Sequence, residues 1–413
     1  MAQSPLLLQL VVILGTARLL ALLLRWLGQP PVIGEMIAGI ALGPIAFGAL
    51  APHLQAAVFP KGSLGALDGL SQIGLVLFMF IVGAELRMPK GVLKQVAAAS
   101  MVGTCSVLLP MTLGIAIAPV LYAKFAPAGI GFWTFALFMS ASMAITAFPV
   151  MARILKERTM THTPVGQLSL ASAAVADVFA WVMLAVVVAL IASHGGWTRL
   201  AFTLGGLVVL ALFAFGVMRP LIVRFLSRWA ADGQPNGAAL ALLLICTFAF
   251  AAATQALQVH AVFGAFLFGA CLPRDDRLLQ SLIERLEHVA VLALMPVFFA
   301  LAGLNTTPDA FVGAGGTALL LVIAAAVIGK VVGGALGARM GGSPWKSALA
   351  VGSLMNARGL MELIVMKVGL DAGVIGKEIF TMLMVMAIVT TFMTTPMLTW
   401  FTRRERDLAS NAA

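Results

Sequence analysis

Apolar residues along this chain come in long runs separated by short polar stretches. A run of about 20 such residues, coiled as a helix rising 1.5 Å per residue, crosses a hydrocarbon layer roughly 30 Å thick. Thirteen segments qualify, near 5–27, 31–50, 66–86, 93–121, 128–154, 165–192, 199–218, 236–257, 259–273, 287–306, 311–338, 346–368 and 374–402. The ninth is short, which leaves twelve spans as the alternative. The pattern predicts an all-α polytopic membrane protein with about 13 transmembrane helices and residues 1–413 as one transmembrane domain. The first run, "LLLQLVVILG", has no basic residue before it and no small-residue cleavage site, so it reads as a span and not as a removable signal.

Composition agrees: 61% of the 413 residues are hydrophobic and 10% charged, which leaves too little polar surface to cover a soluble core. The net charge of +10 raises the possibility of nucleic acid, but the basic residues never form a run longer than two, and loop asymmetry explains them. With the N-terminus outside, Lys61, Lys124, Arg199, Lys367 and Lys377 fall on one face. Eighteen others fall on the opposite face, and Arg18, Lys330 and Arg358 lie inside spans, completing the 26. Positive residues collect on the cytoplasmic side, so the split predicts an inner (plasma) membrane protein with a cytoplasmic C-terminus. Cys105, Cys246 and Cys271 have no metal-ligand spacing. No nucleotide-binding fingerprint follows the last span, so neither a cofactor nor a C-terminal regulatory domain is expected, and no metal beyond a transported ion.

Thirteen crossings divide into a first half (about 5–192), a linker helix (about 199–218) and a second half (about 236–402), a 6+1+6 arrangement. The odd linker inverts the second half, as in transporters built from inverted repeats with a site at mid-membrane.

Ionisable residues at membrane depth are costly and mark ion paths or pairs. Asp177 stands about twelve residues into the sixth span, in "SAAVADVFAW", with no Lys or Arg within a turn. A carboxylate there is satisfied by a proton or by a dehydrated cation, one at a time, and this exclusion is the minimal physics of antiport. Lys330, in "VIGKVVGGALG", is flanked by glycines that permit close helix approach. It is either a side chain snorkelling to the interface or a buried ammonium whose proton affinity or pairing changes during transport. Arg358 and Glu362 are four apart and meet on one helix face as an ion pair. Glu35, near the start of its span, reads as a helix-terminus or interface carboxylate and not as a ligand.

The fifth span carries "FMSASMAITAFPVMARILKE". Pro149 has no N–H and clashes with the carbonyl four residues back, freeing backbone oxygens around Ile145. Thr146, Ser142 and Ser140 add hydroxyls. Broken backbone at this depth is tolerated only where it is buried in protein or lines a cavity.

These stretches, with "LGQPPVIGEMIAGIALGP", "IGLVLFMFIVGAEL", "HAVFGAFLFGACLP", "PVFFALAGL" and "MNARGLMELIV" in order along the chain, resemble the monovalent cation/proton antiporter-2 family. The resemblance is to the branch of plant cation/H⁺ exchangers and the yeast K⁺/H⁺ antiporter. It implies the Na⁺/H⁺-antiporter fold, with a dimerisation domain, and hence a homodimer, and a mobile core of two crossed, partly unwound helices. On matching positions it implies that Asp177 binds the ion and that Ile145, Thr146 and Pro149 lie in one unwound segment. Asn356 to Gly359 form the other, and Lys330 faces the site. It implies exchange of K⁺ or Na⁺ for H⁺ by an elevator-like shift, without covalent catalysis. Many members carry Asp or Asn just before the essential Asp; this chain has Ala176, so Lys330 loses that partner. The alternatives are a ligand-gated K⁺ efflux protein and a membrane sensor or complex subunit without turnover.

Overall fold

The structure is a computed structural model that describes residues 5–85, 93–161, 163–192, 197–229, 236–257, 259–273 and 276–410. Every regular element among them is helical. Arg87, Lys90 and Arg274 of the predicted basic face lie outside the described residues. Nine of the described helices are long and apolar enough to cross a membrane. The fifth and twelfth predicted spans are each split into two shorter helices, and the ninth is the 10-residue helix Ala261–Ala270.

Two helix limits differ from the apolar runs. The linker run ends at Met218, yet Trp197–Phe213 continues through a π turn, Ala214–Met218, into Arg219–Trp229. Arg219, Arg224 and Arg228 therefore stand on a helix and not in a loop. The tenth predicted span likewise begins earlier, at Asp276, passes through the π turn Ala290–Leu294 and ends at Leu304. Helix hydrogen bonds do not require apolar side chains, and Arg and Leu are both good helix formers. Each π turn lies just before a proline, Pro220 or Pro296. The widened turn takes up the clash that a proline ring makes with the preceding turn.

Packing divides the chain into two units. The first comprises Met1–Leu14, His53–Arg87 and Val188–Leu301. Its centre is the crossing of Leu64–Glu85 with Ala261–Ala270, where the Phe80 and Phe268 rings stack at 5.8 Å and Phe250 meets Phe268 at 5.2 Å. The second unit comprises Gly15–Pro52, Met88–Val187 and Ala302–Ala413. It repeats one order of elements twice. Leu93–Phe125, the split pair Phe132–Ala144 and Phe148–Glu157, and Pro164–Ala192 form one copy. Ala314–Met340, the split pair Trp345–Met355 and Leu360–Asp371, and Lys377–Ser410 form the other.

Close packing in the second unit follows from a glycine stripe. A Cβ on Gly329, Gly333 or Gly337 would lie 2.5–2.7 Å from backbone atoms of Pro110, Cys105 and Val102. These four-residue steps keep one face of Ala314–Met340 bare, so the backbone of Leu93–Phe125 lies directly on it. Of the two readings of Glu35, the helix-terminus one does not hold. Its helix begins at Pro31, which puts Glu35 in the second turn, 5% exposed and 3.8 Å from Arg18. It is a buried, paired carboxylate and not a terminal one.

Candidate ion-exchange site

The site is built where the two split spans of the second unit cross. Phe132–Ala144 ends at Ile145, whose backbone is extended (φ −68°, ψ 140°), and the next helix begins at Phe148. Ile145 and Thr146 thus occupy the break, as expected from sequence. Pro149 does not: it stands in the first turn of Phe148–Glu157, where a missing N–H leaves no gap because first-turn amides have no partner within the helix. The proline breaks the span upstream of itself.

In the twelfth span Asn356 to Gly359 separate Trp345–Met355 from Leu360–Asp371. The two breaks are tied together, since the Ala147 N–H donates to the Ala357 carbonyl at 3.0 Å. A Cβ on Gly359 would lie 2.8 Å from the Val150 Cγ2 and 3.7 Å from the Ala147 Cβ, so the second break lies against the start of Phe148–Glu157.

A half-helix that stops inside a membrane exposes its last carbonyls, which carry the negative end of the helix dipole. Two buried cations cover that end of Phe132–Ala144. Arg358 donates from Nη1 to Ser142 O at 3.3 Å and from Nη2 to Met143 O at 2.6 Å. Lys330 donates from Nζ to Ala144 O and, at 2.6 Å, to Thr146 Oγ1. Lys330 is fully buried, so it is not snorkelling. Arg358 also donates to Glu362 Oε1 at 2.8 Å with both side chains fully buried, which makes the predicted pair real. Glu362 stands in the first turn of Leu360–Asp371, the positive end of that half-helix.

Asp177 is treated differently. It lies within the uninterrupted helix Pro164–Ala192, 2% exposed, and its Oδ1 has no hydrogen-bond partner among the described residues. It is near enough to Lys330 for their charges to interact, yet the ion pairs among the described residues do not include it. Among the described residues three other buried oxygens at the crossing lack partners, Asn356 Oδ1, Ser142 Oγ and Glu362 Oε2, the last on a carboxylate whose other oxygen is held by Arg358. Ser140 is not of this kind, because its hydroxyl donates to Leu137 O within its own helix.

Sequence reading missed the contribution of the last long helix. Asn356 Nδ2 donates to Thr390 O at 3.0 Å, and the Thr391 hydroxyl contacts the backbone of Arg358. The signal was the doubled threonines of "VTTFMTTP" in an otherwise apolar run.

Comparison with known proteins was made against this geometry. The family model for the transmembrane sodium/hydrogen exchanger matches residues 11–404. The chain belongs to the sodium/hydrogen exchanger family. A Na⁺/H⁺ antiporter of Synechocystis, NhaS4, is 38% identical over 94% of this chain and 95% of its own length. The cation/H⁺ antiporter 17 of Arabidopsis thaliana is 38% identical over 95% of this chain, and the K⁺/H⁺ antiporter 1 of Saccharomyces cerevisiae 32% over 96%. The chain spans about half the length of these plant and yeast relatives (48% and 46%). A solved structure, the sodium proton antiporter MjNhaP1 of Methanocaldococcus jannaschii, has a TM-score of 0.64 with 95% of this chain and 96% of that one covered, at 16% identity. That likeness is one of fold. The exchanger fold expected from the motifs is therefore the fold of this integral, multi-pass membrane protein.

Proposed function

We propose that this exchanger trades K⁺ or Na⁺ for H⁺ at Asp177, by alternating access. As a member of a cation:proton antiporter family it is a transporter and not an enzyme. The observation that carries the assignment is the unshared carboxylate: Asp177 is buried, with Oδ1 unpartnered, while Lys330 spends its hydrogen bonds on Ala144 and Thr146. A carboxylate at membrane depth that is neither capped nor paired is stabilised by whichever cation reaches it, and a proton and an alkali ion exclude each other there. Ile145, Thr146, Asn356 and the Pro149 turn supply the neutral oxygens and the backbone opening around it, and the unpartnered Asn356 Oδ1 suits a hard cation. Lys330, Arg358 and Glu362 fix the electrostatics of the crossing without binding the ion.

The relatives' names carry Na⁺ for the cyanobacterial protein and K⁺ for the yeast one, and both ions are assigned here as candidates. We place the chain in the inner (plasma) membrane, N-terminus outside and C-terminus cytoplasmic, as a homodimer, from the distribution of basic residues and the family likeness. With Ala176 before Asp177, the simplest count is one proton per cation with no net charge moved, and a Lys330 that released a proton of its own would add a second. The test is uptake of Rb⁺ or Na⁺ into proteoliposomes driven by a pH gradient. Uptake in the wild-type protein and none in Asp177→Asn is the expected result; equal turnover in both sinks the role of Asp177. A current on a K⁺ or Na⁺ jump over a solid-supported membrane would mean that Lys330 carries a second proton.

A further inference from the structure

The twelfth-span break raises an accounting problem that its own helix does not solve. Beyond Met355 the chain still turns inward, with Asn356 N–H on Ser353 O at 3.2 Å and Ala357 N–H on Leu354 O at 3.1 Å. Arg358 is the first residue whose amide leaves the helix, and it is fully buried. A buried N–H without an acceptor is costly, so left alone this segment would wind back into a helix or slip by a residue. Its acceptor comes from elsewhere. Arg358 N–H donates to Thr391 Oγ1 at 2.8 Å, and the same hydroxyl lies 2.8 Å from Arg358 O and 2.8 Å from Ala387 O. One oxygen takes the amide while its single proton serves either carbonyl. Thr391 is itself fully buried on Lys377–Ser410.

We propose that Thr391 is a positioning residue for ion exchange: its hydroxyl clips the backbone of Arg358 to the last long helix and holds the 356–359 break open. The consequence reaches two groups of the site. The clip sets where Asn356 presents its unpartnered Oδ1, whose amide is anchored one residue away on Thr390 O. It also sets where the Arg358 guanidinium begins its reach to Ser142 and Met143. Ordinary threonine back-bonding to the carbonyl four residues earlier accounts for the Ala387 contact, but not for an acceptor placed on the Arg358 amide in the break between two other helices.

This inference rests on the reading that the break borders the exchange site, and the experiment separates the two. Thr391→Val keeps the shape and removes the acceptor; Thr391→Ser keeps the acceptor. In proteoliposomes Thr391→Val is expected to raise the cation KM about tenfold, the usual scale for orphaning a buried amide, with a smaller fall in kcat. Its pH profile moves to higher pH, because a weaker cation yields to protons sooner. Thr391→Ser is expected to restore both. Combined with Asn356→Ala, the valine change should add little, since both act through one segment. If the valine variant fails to insert, Thr391→Ala takes its place in each comparison. Wild-type KM and pH profile in a folded variant lacking the hydroxyl, failure of serine to restore them, or full additivity with Asn356→Ala would each overturn the proposal. If Asp177→Asn is inactive in those cases, the exchange site stands without the clip. If Asp177→Asn turns over normally, the site reading itself falls.

Discussion

The two split spans solve the same problem with different chemistry. At the first break the exposed carbonyls of Ser142, Met143 and Ala144 are covered by the guanidinium of Arg358 and the ammonium of Lys330, both from the other copy of the repeated element order. At the second, neutral groups do the work: Thr391 on Arg358, Ala147 N–H on Ala357 O and Thr390 O under the Asn356 side chain. The difference follows helix polarity. The C-terminal end of Phe132–Ala144 is a negative pole that attracts cations, and the first turn of Leu360–Asp371 is a positive pole that holds Glu362. Each of these three charged side chains sits at the pole that suits its sign. Asp177 sits in mid-helix at neither. Its Oδ1 has no hydrogen-bond partner among the described residues, which is the ground for proposing it as the exchanging group.

The largest effect that can break this contrast is at Asp177. Asp177→Asn keeps size and hydrogen-bonding ability and removes the charge; exchange is expected to vanish while the protein still inserts into the membrane as wild type. In the wild-type protein the same logic predicts competition, so that lowering pH raises the apparent KM for the cation and leaves the rate at saturation little changed. A pH effect on maximal rate alone would place the proton elsewhere.

Next in size is the charged break. Arg358→Ala strips Ser142 and Met143 of a donor and leaves Glu362 buried without its partner. Orphaning one member of a buried pair costs about 3–5 kcal/mol, which thermal unfolding in detergent should show as a large drop in Tm. Glu362→Gln is the milder change, because an amide oxygen can still accept from the guanidinium.

Lys330 follows. Lys330→Ala removes the donor on Ala144 O and Thr146 Oγ1, and is expected to lower Tm and move the pH profile more than it changes the ratio of K⁺ to Na⁺ transport. Thr146→Val should do part of this, about 1 kcal/mol for one lost hydrogen bond. If neither variant moves Tm or the pH optimum, the first break does not depend on its cations and the contrast with the second fails.

How much of this was legible beforehand divides along the same line. Long apolar runs, the proline that splits the fifth span and the four-residue spacing of Arg358 and Glu362 are local signals, and each corresponds to an element of the fold. Pro149 marked a break but not its place, because a proline's steric conflict lies upstream while its own position suits a first turn. The helices that extend past Met218 and begin before residue 287 were hidden because hydropathy reports lipid contact and not hydrogen bonding. The partners of Lys330 lie 184 and 186 residues away, a distance no spacing rule spans, and Thr391 had no charge to draw attention to it. A polar residue in an apolar helix is visible in a sequence; what it holds is not.

The smallest predicted effect tests whether burial, and not spacing, gives the Arg358–Glu362 pair its weight. Lys367 and Asp371 repeat the same four-residue interval further along, but their side chains are 18% and 52% exposed against zero for the inner pair. In the outer pair water already solvates the carboxylate, so the attraction replaces hydration that was nearly as good, and ordering a lysine chain offsets part of what remains. Asp371→Asn should therefore cost about 0.5 kcal/mol or less and leave exchange unchanged, with even that small loss reduced by added salt. A loss of Tm comparable to that of Arg358→Ala would show that the interval itself carries the energy, and the division between a charged, committed crossing and a solvated periphery would then have to be abandoned.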